Sequence, residues 1–313
     1  MLSAAQASEG LAPESLAQAL RYACELEIRA LKPGNVGLHG DGHGMSAADF
    51  VASARAIAMP SCRPGLGVGE RILAAVRATR AVANCNTNLG IILLAAPLVG
   101  AAQRGCVQPL RSTVREVLAQ LDVRDAEYAY EAIRLARPGG LGTAARHDVA
   151  GAPRVSLLEA MREASLRDSI ARQYVSGYAD VFELGLPGYR SRLARWNSDE
   201  WAAVSVFLCF LSRLPDSHVA RKHGPALARE LGEEARLRCA MLDGAEHPSQ
   251  CAGELREWDQ RLKRQGINPG TSADLTVATV LAARIEDLLE EKHLPPSGQV
   301  PAWQVTRGTA HNL

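Results

Sequence analysis

The stretch NCNTNLGIILLAAPLV, residues 84 to 99, decides the architecture. From Leu89 onward it contains only apolar residues, glycine and proline. A surface helix carries one apolar stripe, whereas a helix apolar all round lies inside. The spacing therefore predicts a central helix over 88–103, ringed by others. The amides before it, Asn84, Asn86 and Asn88, with Thr87, raise a second question. One such residue caps a helix by accepting an orphan N–H bond. Four exceed that need. Helix N-termini also carry partial positive charge and free N–H groups suited to phosphate.

Helical periodicity extends outward from this segment in both directions. In residues 15–31, Leu16, Leu20, Ala23, Leu26 and Ala30 fall on one face. Pro33 ends that helix, because the residue before a proline disfavours helical backbone. Further helices are expected near 46–59, 68–83, 111–121, 125–136, 156–184, 198–213, 225–242, 250–265 and 272–291. No segment sustains the alternation of a strand. The fold is read as all-α, one large helical domain over 13–292. Residues 1–12 are expected to fray, and 293–313 to form an irregular, proline-bearing tail.

Composition narrows the function classes. Net charge is +1 over 313 residues, so no broad field recruits nucleic acid or an anionic membrane. No apolar run reaches the roughly 20 residues of a bilayer span. The N-terminus lacks a signal-peptide pattern. Seven cysteines, odd in number and without C-x-x-C, predict a reducing, cytoplasmic setting rather than a disulfide framework or zinc. The apolar helix would serve a homodimer interface as well as a core.

The polar residues gather at helix ends. KPGNVGLHGDGHGM (32–45) offers Lys32, Asn35, Asp41 and His43 on a glycine-rich backbone. After it, Ser46 and Asp49 read as a capping box. Glu70 follows in GLGVGERI. ARPGGLGTAARHDV (136–149) carries Gly139, Gly140, Gly142, His147 and Asp148. Arg167–Asp168 sits within an expected long helix, where an Asp is ordinarily a salt-bridge residue. LPDSHVARKHG (214–224) holds Asp216, His218, Arg221 and Lys222. GINPGTSADLTVATV (266–280) places Asn268 and Gly270 before a helix capped by Thr271 or Ser272. Asp274 there is either a T-x-x-D capping partner or a functional carboxylate. Each cluster alone would pass for turn chemistry. Together they suit a polyphosphate with Mg²⁺, which takes hard oxygen ligands and keeps waters and phosphates as the rest.

Taken in order, KPGNV…DGHGM, NTNLGIILL, PDSHVARKHG and INPGTSADLTVA resemble the triphosphoribosyl-dephospho-CoA synthase family over about residues 20–285. Members are all-helical. They attach the triphosphoribosyl group of ATP to the 2′-hydroxyl of dephospho-CoA and release adenine. Typical members carry His and Lys in an NTH-K-G pattern where this chain has Asn88 and Leu89. They carry DTN and R-G-G where it has Asp216-Ser217-His218 and Lys222-His223-Gly224, and PGGSADLLA where it has PGTSADLTVA. These departures resemble the divergent branch of methanogens and of bacteria with methanogen-type one-carbon cofactors. The resemblance and the residue types imply Asp41 or Asp274 as base, with His43 nearby. They imply Glu70, Asp148 and Asp216 around Mg²⁺. Lys32, Asn35, Asn86, Thr87, Asn88, Gly139, Gly140, Lys222, Asn268, Gly270 and Ser272 would bind ATP. Two alternatives stay open. One is another ATP-dependent transfer, such as kinase chemistry in making tetrahydromethanopterin or methanofuran. The other is a nucleotide-binding protein without catalysis.

Overall fold

The computed structural model describes residues 10–105 and 108–293. The expectations for the first nine residues and for the tail from 294 lie outside the described residues. Those described form fourteen α-helices and no strand; two isolated bridges stiffen the loop between the first two helices. The helices are α1 (Pro13–Arg29), α2 (Ala47–Ser61), α3 (Val68–Val82), α4 (Leu89–Gln103), α5 (Leu110–Ala119), α6 (Val123–Ala136) and α7 (Leu157–Ala164). Then follow α8 (Ser169–Ser176), α9 (Leu186–Trp196), α10 (Asp199–Arg213), α11 (Ser217–His223), α12 (Pro225–Gly244), α13 (Ala252–Arg264) and α14 (Gly270–His293). Among the described residues no helix is long and apolar enough to cross a membrane.

The central helix is where the sequence put it. α4 packs against α1, α2, α3, α5, α8 and α14. Leu94, Leu98 and Val99 on it are fully buried. Pro97 interrupts its ladder, because proline has no N–H for the carbonyl four residues back. That carbonyl, Leu93 O, accepts the Tyr174 hydroxyl at 2.7 Å, and Leu94 O accepts Tyr178 at 2.8 Å. Two buried tyrosines thus complete the proline-broken helix and tie the α8 region to the core. The capping box of Ser46 and Asp49 forms as expected at the start of α2.

The expected single helix over 156–184 is absent. Asp168 stops it by capping α8, accepting N–H bonds from Ile170 and Ala171. Gly177, at φ 61°, closes α8, and a π-helical turn over Asp180–Gly185 leads into α9. The periodicity persists through these breaks, which is why pattern alone joined them. α11 was also missed: seven residues under an Asp216 cap read as turn chemistry. α14 begins at Gly270, so Thr271 and Ser272 lie inside it and neither is its cap.

Candidate active site

A cavity of about 840 Å³ opens between the N-terminal ends of α4, α8, α11 and α14, the flank of α6 and α7, and the loop 138–149. Its inner wall is apolar, with Leu89, Leu93, Ile133, Leu157, Met161 and Ile170. Asn86, Thr271, Asp274, His218, Arg221 and Asp168 supply polar groups to the lining. Arg146 and Arg167 stand on the lining with Leu141 and the fully exposed Leu166.

Asp274 is the distinctive group. Gly90, one residue into α4, has no side chain, and a Cβ there would lie 2.0 Å from Asp274 Oδ2. The carboxylate therefore presses against the bare first turn of the central helix. Among the described residues it makes no hydrogen bond or ion pair. Burial, then the charges of Glu27, Asp216 and Asp168, raise it well above the ordinary carboxylate range. The capping-box alternative fails, because Thr271 Oγ1 pairs instead with Ser217 Oγ at 3.0 Å and with the His218 N–H at 3.2 Å.

His218 faces the same cavity. Burial, then Arg221 and Lys222, lower it to about 4, so its imidazole is neutral at pH 7. Asp168 caps α8 with one oxygen and holds Arg221 at 3.1 Å with the other. Asp148 lies on the loop, its oxygens accepting N–H bonds from Ala144 and Ala150, which lower it. Tyr130 anchors that loop by donating to His147 O at 2.5 Å.

Of the residues given a catalytic, metal or ATP-binding role from sequence, Asn86, Gly139, Gly140, Asp148 and Asp274 line the cavity. The others are placed elsewhere. Asn86 Oδ1 accepts the Leu89 N–H and so caps α4 from within the cavity lining. Thr87 donates to Ser53 at 2.7 Å and Asn88 accepts from Thr79 at 3.0 Å, both buried; they pin α4 to α2 and α3. Lys32 is 3% exposed and closes an ion pair with Glu27 at 2.9 Å, so it has no free charge for phosphate. Asn35 meets Asn268 at 2.9 Å, and Gly34 N–H donates to the buried Asp259. Asp41 accepts the Ala47 N–H at the start of α2, and His43 donates to Gly34 O. Lys222 is exposed beyond the cavity lining.

All three metal candidates accept structural hydrogen bonds, and of them only Asp148 lines the cavity. Glu70 closes the cap of α3 and faces Arg124. Asp216, 1% exposed, accepts the His218 and Val219 N–H groups on one oxygen, and the Ser272 N–H and hydroxyl on the other. Gly270 and Ser272 belong to this clasp between α11 and α14, since Gly270 lies under the His218 ring. Sequence reasoning underweighted Asp168, Arg221 and His218; the Arg167–Asp168 pair inside an apolar periodicity was the available signal.

The family model for ATP:dephospho-CoA triphosphoribosyl transferase matches residues 13–293. The chain belongs to this family. It is 33% identical over 112 residues to a "probable 2-(5''-triphosphoribosyl)-3'-dephosphocoenzyme-A synthase" of Pseudomonas fluorescens. It is 28% identical over 113 residues to a protein of the same name from Citrobacter koseri. Those matches cover 35% and 36% of this chain, and only 37% of each relative. A crystal structure from Archaeoglobus fulgidus, described as a candidate triphosphoribosyl-dephospho-CoA synthase, superposes with a TM-score of 0.55. It shares 26% identity and covers 75% of this chain and 96% of its own. The transferase-family motifs thus sit on a helical fold that a solved structure shares.

Proposed function

We propose that the protein transfers the triphosphoribosyl group of ATP to the 2′-hydroxyl of dephospho-CoA and releases adenine. The carrying observation is Asp274, an unbonded carboxylate on the wall of a cavity where three of the four family motifs converge. In this reaction the C1′–N9 bond of ATP breaks and a bond from the acceptor oxygen to C1′ forms. The transition state resembles an oxocarbenium ion. The hydroxyl proton goes to Asp274. Burial disfavours its charged form, so accepting the proton is favoured there, and a raised carboxylate is a stronger base. The neutral His218 ring offers an N–H to the departing base. Asp41 and His43, held at the α2 entrance, take no part.

The triphosphate is assigned to Arg221, Arg146 and Arg167, whose planar guanidinium groups suit phosphate. Lys32 leaves the set. Among the described residues no group of three or more His, Cys, Asp or Glu side chains could hold a metal alone. Mg²⁺ bound mainly through phosphates needs one or two protein carboxylates. Asp148, on the cavity lining, fits that requirement and would hold it. When bound, the ion would neutralise charge on the triphosphate. The test is incubation with ATP, Mg²⁺ and dephospho-CoA, followed by chromatography of bases and nucleotides. Adenine whose release requires dephospho-CoA is expected. ADP or AMP in its place would sink the reading in favour of another ATP-dependent transfer.

A further inference from the structure

Glu27 projects from α1 into the interior and is 3% exposed. Its Oε1 is 2.9 Å from Lys32 Nζ. With the Asn35 amide turned to satisfy both its ends, Oε1 also accepts from Asn35 at 2.9 Å. Oε2 has no partner. On α4 the Asn88 Nδ2, 5% exposed, has none either, while its Oδ1 is held by Thr79. Both residues line one small recess with room of about 10 Å³, together with Cys24, Ile28, Phe50, Ala54 and Ile91. An orphan acceptor and an orphan donor facing a recess at the lower limit for one water are a water site. Leaving them dry would cost the desolvation of both groups.

The same carboxylate also acts on the cavity. Behind burial, Glu27 is the leading charge that raises Asp274. The first turn of α4 is therefore bracketed: Asn88 faces Glu27 across the recess, and Gly90 receives Asp274. The other groups that act on Asp274 are Asp216 at the α11 cap, Asp168 at the α8 cap and Arg221 on α11. Those beside Glu27 are Lys32 and Cys24.

We infer that Glu27 is a positioning residue of this site, acting through one water between it and Asn88 and through its charge beside Asp274. The inference rests on the transferase reading only for Asp274's part as base. A neutral residue at 27 leaves Asp274 a weaker base. The acidic limb of kcat/KM then moves to lower pH by about one unit, and the plateau falls severalfold.

The experiment is Glu27→Gln in the full chain, with the pH profile of adenine release and a high-resolution crystal structure of the wild type. The limb shift and one water within hydrogen-bonding distance of Oε2 and Nδ2 are expected. An unchanged profile, or an empty recess, overturns the proposal. If Glu27→Gln does not fold, Glu27→Gln/Lys32→Gln removes both charges of the pair and is held to a smaller shift of the same sign, because loss of the Lys32 charge opposes loss of the Glu27 charge. If the wild type releases no adenine, infrared titration of the Asp274 carboxyl, identified by its loss in Asp274→Asn, reads the shift without turnover. Failure of the transferase reading is thereby separated from failure of this one.

Discussion

Asp216 and Asp274 come from adjacent motifs and are both raised by burial, and the charge of Asp216 raises Asp274 further. Asp216 accepts four hydrogen bonds, two that cap α11 and two from Ser272 that join it to α14, and those bonds offset part of its desolvation. Asp274, some distance into α14, accepts none. Asp274 is only half-buried and opens onto the cavity, and a strongly raised carboxylate in a cleft points to a ligand or a reaction. One aspartate builds the clasp and the other faces the cavity that the clasp supports.

The sharpest way to break this comparison is Asp274→Asn. Removing a general base costs about 10²–10⁴-fold in rate, read as kcat for adenine release. The stability effect has a definite sign. Asp274 is raised in the fold, so its ionisation penalises the native state as pH rises above the unfolded carboxylate value near 3.9. Asp274→Asn is therefore expected to raise the melting temperature at pH 8 and to lose that advantage near pH 3. Full activity, or destabilisation at pH 8, would return Asp274 to the status of a cap.

Asp216→Ala is the counterpart. It strips the Val219 and Ser272 N–H groups of their buried acceptor, and a lost acceptor costs about 1–3 kcal/mol. We expect a loss on the order of 3 kcal/mol by urea denaturation. The rate per folded molecule should fall far less than in Asp274→Asn. A fall equal to that of Asp274→Asn would make Asp216 part of the chemistry.

Tyr174→Phe tests the scaffold behind both. It leaves Leu93 O, already deprived of its helical partner by Pro97, without a donor. A loss of about 2 kcal/mol follows from one unsatisfied buried acceptor. A change below ~0.5 kcal/mol would show that the carbonyl finds water instead.

His218 refines the comparison through pH. Its folded value of about 4 lies below the free imidazole value of 6.5, so the unfolded chain binds the extra proton first. Stability is then lost as pH falls from 6.5 through 4. His218→Gln should flatten that part of the melting-temperature profile; a slope equal to the wild type's would mean His218 is not buried neutral.

How far the sequence could be read follows the same division. The central helix was legible because Leu89 to Val99 admits no polar face, and the Ser46–Asp49 box because both partners are local. The site was harder. Thr87, Asn88 and Lys32 have the types a phosphate site uses, yet Ser53, Thr79 and Glu27 take them up, at separations of 34, 9 and 5 residues that no periodicity marks. Asp274 read equally as a cap or as a functional carboxylate, and the bonds of Thr271 to Ser217 and His218, with the bare Gly90 opposite, separate the two. Asp168 was hidden by the periodicity it interrupts.

The smallest expected effect belongs to Asp41, the carboxylate that sequence ranked beside Asp274. It is exposed, and its one bond is to the Ala47 N–H at the start of α2, outside the cavity lining. Asp41→Ala is expected to cost ~0.5 kcal/mol of stability, as exposed substitutions do, and to change the activation free energy by less than ~0.5 kcal/mol, leaving adenine release within about twofold of wild type. The loop's many bonds to Ile28, Asp259 and Lys263 would hold it in place without Asp41. A hundredfold loss of rate in a folded Asp41→Ala would mean that the 32–45 loop reaches the substrate after all, and the line drawn between clasp and cavity would have to move to include it.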